Sequence, residues 1–165
     1  MNNKFKLATS VLVIALLVNF NTVFAETKSD LEIKSQIIYP GSFYYPFKRV
    51  LEKVEEKLQF SGQSKISFYE SLLKTRLTEL NYVVEKRFLS EVQTSSERFA
   101  YQAGILSEEL IKQSKVKDKE RFIKEFEQYK KFLPNLRDKF EANSSFWMLV
   151  QHDINTLNIL SDQLK

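Results

Sequence analysis

The chain has no cysteine and only three glycines, three prolines and one histidine. The missing thiol excludes disulfides, thiolate metal sites, a cysteine nucleophile and a lipid-modified cysteine anchor. Scarce Gly and Pro argue against a sheet-rich fold, whose many tight turns draw on both. The single imidazole, His152 beside Asp153, leaves no pair of His ligands one helical turn apart. A serine nucleophile would have to recruit that same ring as its base. Glycine-rich phosphate loops and the Gly-x-Ser-x-Gly elbow do not occur. Glu55-Glu56 and Glu108-Glu109 are adjacent carboxylates, but helical neighbours point about 100° apart and do not converge as an acid–base pair. No catalytic, cofactor-binding or metal-ligating residue is expected, and the chain reads as non-enzymatic.

What is present is the makeup of one ordinary globular domain: 43% hydrophobic and 28% charged residues over 165 positions. The net charge of +4 falls by two once Lys4 and Lys6 are set aside with the N-terminal segment. The remaining charges alternate in sign along helical faces, so no electrostatic footprint for specific nucleic-acid binding is expected.

Residues 1–25 carry the three parts of a secretory signal. Lys4 and Lys6 precede an apolar run over 7–18, and Val23-Phe24-Ala25 places small residues for cleavage before Glu26. Left uncleaved, residues 7–25 are just long enough to anchor the chain, the one route to membrane association. Export is expected in both cases. Residues 26–39 read as a flexible tether, and 40–165 as a single domain.

The expected fold is all-α, an antiparallel bundle of four to five helices. The first helix is expected over 45–60, with Ser42 as a candidate cap and Pro46 in the first turn. Its apolar stripe is Phe47, Val50, Leu51, Val54 and Leu58. Gly62 is expected to end it in the left-handed conformation. The second helix, over 64–88, carries Ile66, Tyr69, Leu73, Leu77, Leu80 and Val84, and the short connection predicts antiparallel neighbours. A third helix opens at Ser90, whose spacing to Gln93 fits a capping box. Small residues on its inner face, Ser95, Ser96, Ala100, Ala103 and Gly104, predict close approach of another helix. A fourth helix from Asp118 contains Pro134, expected to kink or split it. The last runs over 146–164. Tyr39, Phe43, Tyr44, Tyr45 and Phe47 cluster before and within the first helix, and a plug closing one end of the bundle is favoured over an exposed platform.

The stretch Tyr45-Pro46-Phe47-Lys48-Arg49-Val50-Leu51-Glu52, followed on the next helix by Arg76-Leu77-Thr78-Glu79, resembles the bacterial family catalogued as domain of unknown function 5667. That family pairs a Tyr-x-hydrophobic-Lys-Arg-x-x-Glu helix start with an Arg-Leu-x-Glu on the following helix. The resemblance covers about 40–85 and implies a helical domain outside the cytoplasmic membrane, behind a signal or a single anchor. Some relatives sit in proteins that restrain sigma factors; too few residues precede the apolar run here for that role to carry over. The structural or interaction candidates are Tyr45, Phe47, Lys48, Arg49, Glu52, Arg76 and Glu79. Arg76 is expected to close the first helical hairpin onto Glu52, near Phe47, with Glu79 or the Tyr45 hydroxyl completing its donors. The expected function is an exported, non-catalytic domain acting through protein or envelope-surface contacts; the alternative is a membrane-anchored sensor or regulator.

Cleavage between Ala25 and Glu26 is the testable consequence. Intact-mass measurement on protein from an exporting host is expected to find Glu26 at the N-terminus, whereas a full-length chain held in the membrane marks the anchor.

Overall fold

Apolar residues recurring every three or four positions carry through most of the chain as α-helix. The computed structural model describes residues 36–113 and 116–165, so the signal-like segment, its cleavage site and most of the tether lie outside the described residues. Five helices pack antiparallel: α1, Tyr45–Lys57; α2, Gly62–Glu85; α3, Leu89–Gln113; α4, Val116–Arg137; and α5, Ser145–Leu164. α2 packs along α3, α3 along α5, and α5 along α4, and the core lies between these four. Leu73, Leu77 and Leu80 of α2 meet Phe99 and Leu106 of α3, Phe122, Phe126 and Leu133 of α4, and Val150 and Leu157 of α5, all buried. Among the described residues, no helix is long and apolar enough to cross a membrane.

Local chemistry moves several helix ends from where periodicity alone puts them. Gly62 opens α2 instead of ending α1. Ser61 is the cap: its Oγ accepts from the Ser64 amide at 3.1 Å, and the Ser64 Oγ accepts from the Ser61 amide at 3.2 Å. A Cβ on Gly62 would lie 2.0 Å from the Gln113 side-chain amide at the end of α3, a flexible group that would have to turn aside. α2 stops at Glu85 because Arg87 turns left-handed, with φ at 57°. The Phe88 amide then donates to the Val83 carbonyl and the Arg87 amide to Val84, the paired bonds of a Schellman end made without glycine. α1 starts after Tyr44 with no side-chain cap, so Ser42 does not serve as one; Pro46 does lie in the first turn. Pro134 neither splits α4 nor ends it early. The helix runs on for three residues past it, and the Pro134 carbonyl accepts from the Asp138 amide.

The segment before α1 is not free up to residue 39. Tyr39 stacks on Tyr82 of α2 with ring centroids 3.7 Å apart, and the Gln36 side chain donates to the Thr75 carbonyl.

α1 departs most from expectation. The stripe Phe47, Val50, Leu51, Val54 and Leu58 faces solvent, with Phe47 64% and Leu51 45% exposed; only Tyr45 and Glu52 are buried. The aromatic plug is corrected with it: Tyr39 and Tyr45 pack inward, but Phe43, Tyr44 and Phe47 are exposed. The reason is electrostatic. The side of α2 that meets α1 carries Arg76 and Glu79, and leaving one such charge buried and unpaired costs about 3–5 kcal/mol. The polar side of α1 therefore docks.

The small residues of α3 only partly do what their size suggested. Ser95, Ser96 and Ala103 are buried, but nothing lies within 4 Å of a Cβ built on Gly104. Against this face α5 places Asp153, fully buried, whose Oδ2 accepts from the Ser96 hydroxyl at 2.8 Å. Burial pushes its carboxyl up to about 8, the Ser96 bond offsetting only part of that. His152, its neighbour, is exposed.

Two outcomes follow. Leu73→Ala or Leu80→Ala is expected to cost about 2–5 kcal/mol, and Val54→Ala, on the exposed face, less than about 0.5 kcal/mol; denaturant unfolding measures both. Because Asp153 holds its proton more tightly folded than unfolded, its contribution is full below its unfolded pKa of about 4 and is lost as pH rises through about 8. Asp153→Asn is expected to change the melting temperature little below about pH 4 and to raise it increasingly from there up to about pH 8.

Candidate functional site

Arg76 and Glu79 lie three residues apart on α2, hence on one face of it. Both are buried, Arg76 at 1% exposure and Glu79 at 0%. The Arg76 Nη1 donates to Glu79 Oε2 at 2.7 Å, and its Nη2 donates to Glu52 Oε2 of α1. Arg49, one turn before Glu52, donates to the same Oε2 at 2.7 Å. The Tyr45 hydroxyl donates to Glu79 Oε2 at 2.8 Å, and the Lys48 ammonium reaches Glu79 Oε1 at 2.5 Å. Lys48 also donates to the Gln36 side chain at 2.5 Å, which ties the incoming segment to the same cluster. From α3, Arg98 donates to the Tyr45 oxygen at 3.0 Å and lies over its ring at 5.1 Å. Farther along α1, Glu56 accepts from the Tyr69 hydroxyl of α2 at 3.0 Å.

The electrostatics follow from that geometry. Burial alone would raise the Glu79 carboxyl, but Arg76 and then Lys48 override it and hold it below the usual carboxylate range. Burial would likewise lower Arg76, and Glu79 with Glu52 override it upward. Burial, with Glu79 beside it, pushes the Tyr45 phenol well above its usual range, so it remains a donor. Each carboxylate faces at least two cationic donors. Such an arrangement fixes helices in register, and it holds Glu79 ionised near neutrality. Among the described residues, no three His, Cys, Asp or Glu side chains gather as a metal would require.

The structure thus brings together Tyr45, Lys48, Arg49, Glu52, Arg76 and Glu79. Phe47 is not among them; it lies on the opposite, exposed side of α1 and does not sit against Arg76. Arg98 and Gln36 belong to the cluster and carried no sequence signal, since each reaches it from a different element. The second half of the site is the outward face of α1. Tyr44, Phe47, Leu51, Val54 and Leu58 form a continuous apolar strip, with Val50 alongside and Phe60, 89% exposed, just beyond.

Breaking the cluster separates its parts. Glu52→Gln or Arg76→Met alone is expected to cost about 1.5–3 kcal/mol, because each removes charge-assisted bonds while the remaining partners keep Glu79, Lys48 or Arg49. The double variant is expected to fall short of the sum by about 1–3 kcal/mol in a thermodynamic cycle. The share due to Glu79 is present above the unfolded carboxylate pKa and is lost as pH falls through its lowered folded value.

Among known families, a model described as Domain of unknown function (DUF5667) matches residues 37–136. That span begins with the segment laid on α2 and ends within α4, so it takes in every charged member of the cluster and the exposed strip, and leaves Gln36 and α5 outside. No curated protein and no solved structure matches the chain.

Proposed function

The chain belongs to the DUF5667 family, and from the way it presents α1 we propose that it is an exported, non-catalytic domain that works by contact through the apolar face of that helix. The observation that carries this reading is the opposition of the two sides of α1. One side is fastened by buried charges, and the other leaves an apolar strip in water on a backbone held in place. An isolated monomer gains nothing from that exposure, and contiguous exposed apolar patches beyond a few hundred Å² mark sites of interaction. Phe47 stands at the hydrophobic position of the Tyr-x-hydrophobic-Lys-Arg motif and points outward, which places the motif's polar members in the base and its apolar member in the contact face.

Export rests on the charged start, apolar run and small-residue cleavage pattern of residues 1–25. The absence of disulfides puts the stability of an exported domain on packing and on the buried cluster. The non-catalytic part is supported by carboxylates already committed to fixed cations and by a single, exposed imidazole.

Leu51→Glu tests the reading, because Leu51 is exposed and its replacement leaves the core untouched. The variant is expected to melt as the parent does while losing the contacts that the parent makes in envelope fractions of an exporting host. Equal retention of every contact by parent and variant overturns the assignment of this face.

A further inference from the structure

We infer that the exposed face of α1 is the seam of a symmetric homodimer, in which α1 packs antiparallel against α1 of a second copy; this rests on the contact reading above and names the partner. The strip is spaced as a helix–helix seam. Tyr44, Phe47, Leu51, Val54 and Leu58 follow one another at intervals of three, four, three and four, the alternation by which one helix meets another along a line. Tyr44 and Leu58 flank the helix in right-handed helical conformation, so the seam continues through both ends of α1.

The area suits a second copy. At roughly 200 Å² for a whole aromatic side chain and less for Val and Leu, the exposed fractions of the seam, Val50 and the flanking Phe43 and Phe60 come to on the order of 1,000 Å² per copy. Two copies that cover most of it bury about 1,600 Å², the size of a standard specific interface.

The charges at its borders select the direction. On one edge of the seam stand Lys48 and Glu55, on the other Val50 and Lys57. In an antiparallel pair like edges meet, so Glu55 of one copy comes beside the partly exposed flank of a Lys48 that Glu79 already holds, and the Lys57 stem lies over Val50. A parallel pair instead sets Glu55 against Val50, which desolvates a carboxylate without a partner. The antiparallel register stacks Phe47 on Leu58 and Leu51 on Val54, and each contact recurs across the two-fold axis, as a closed dimer requires. A bilayer fits less well. A helix lying in a membrane surface turns a basic polar face to the headgroups, whereas the polar face of α1 is turned into its own protein.

Sedimentation of the chain as an exporting host releases it is the test, since that form is the one in which the face is presented. A monomer–dimer equilibrium is expected. Leu51→Glu is expected to weaken it about a hundredfold or more, as loss of a central apolar anchor does, while melting as the parent does at dilutions where the parent is also monomeric. Because the chain lacks cysteine, Leu51→Cys with Val54→Cys reports the register: oxidation is expected to link two copies covalently, and Leu58→Cys alone is not. A chain that stays monomeric, or a dimer indifferent to Leu51→Glu, overturns the proposal. If the chain is monomeric and Leu51→Glu abolishes binding to vesicles or to another envelope protein, the second copy is excluded and the contact face stands. If the variant changes neither self-association nor any other binding, both fail together.

Discussion

The Arg76 guanidinium, buried between Glu79 on its own helix and Glu52 on α1, is the constraint from which the rest of this structure follows. A buried charge of this kind must be paired or it destabilises the fold severely. Glu79 cannot satisfy the cluster alone, because α2 offers Arg76 only that local partner. The second carboxylate comes from α1, and so do Tyr45 and Lys48, which complete Glu79. Once those side chains point inward, the geometry of a helix leaves Phe47, Leu51 and Val54 no choice but to point outward. The exposed apolar strip is thus the geometric consequence of a satisfied ion cluster.

This couples the two halves of the site in energy as well as in space. The four-helix core of α2 to α5 is built on apolar packing to which α1 contributes no side chain. α1 is attached by directional, charge-assisted bonds, which set its rotation about its own axis in a way that apolar contact does not. A contact surface presented this way is held in one orientation before any partner arrives, and pre-organisation lowers the cost of binding. The motif residues of the family fall on both sides of that helix. Tyr45, Lys48, Arg49 and Glu52 form its base, and the hydrophobic position, Phe47, its outer face.

The core was legible from spacing. Leu73, Leu77 and Leu80, or Phe122, Phe126 and Leu133, lie on one side of a helix and have only each other to meet. The same spacing in α1 points to the wrong face, because periodicity reports that a helix has two faces and not which one docks. Deciding that requires knowing that the opposing surface of α2 carries Arg76 and Glu79, a fact of tertiary structure. The Schellman end at Arg87 was hidden because no glycine marks it, and the approach of Gln113 to Gly62 because the two are fifty-one residues apart. Asp153 reads as a surface residue until α5 is laid against Ser96. Of the cluster, the members within the two motifs were visible together, whereas Arg98 and Gln36 arrive from elements the motifs do not include.

Amide hydrogen exchange along α1 tests the central claim most directly, since it reports whether the buried charges hold this helix. In the parent, α1 amides are expected to be protected well above the level of a frayed helix. In Glu79→Gln, that protection is expected to fall across α1 while α3, α4 and α5 keep theirs. Protection of α1 that is unchanged in Glu79→Gln would contradict the account, because the helix would then be held by something other than the cluster around Arg76.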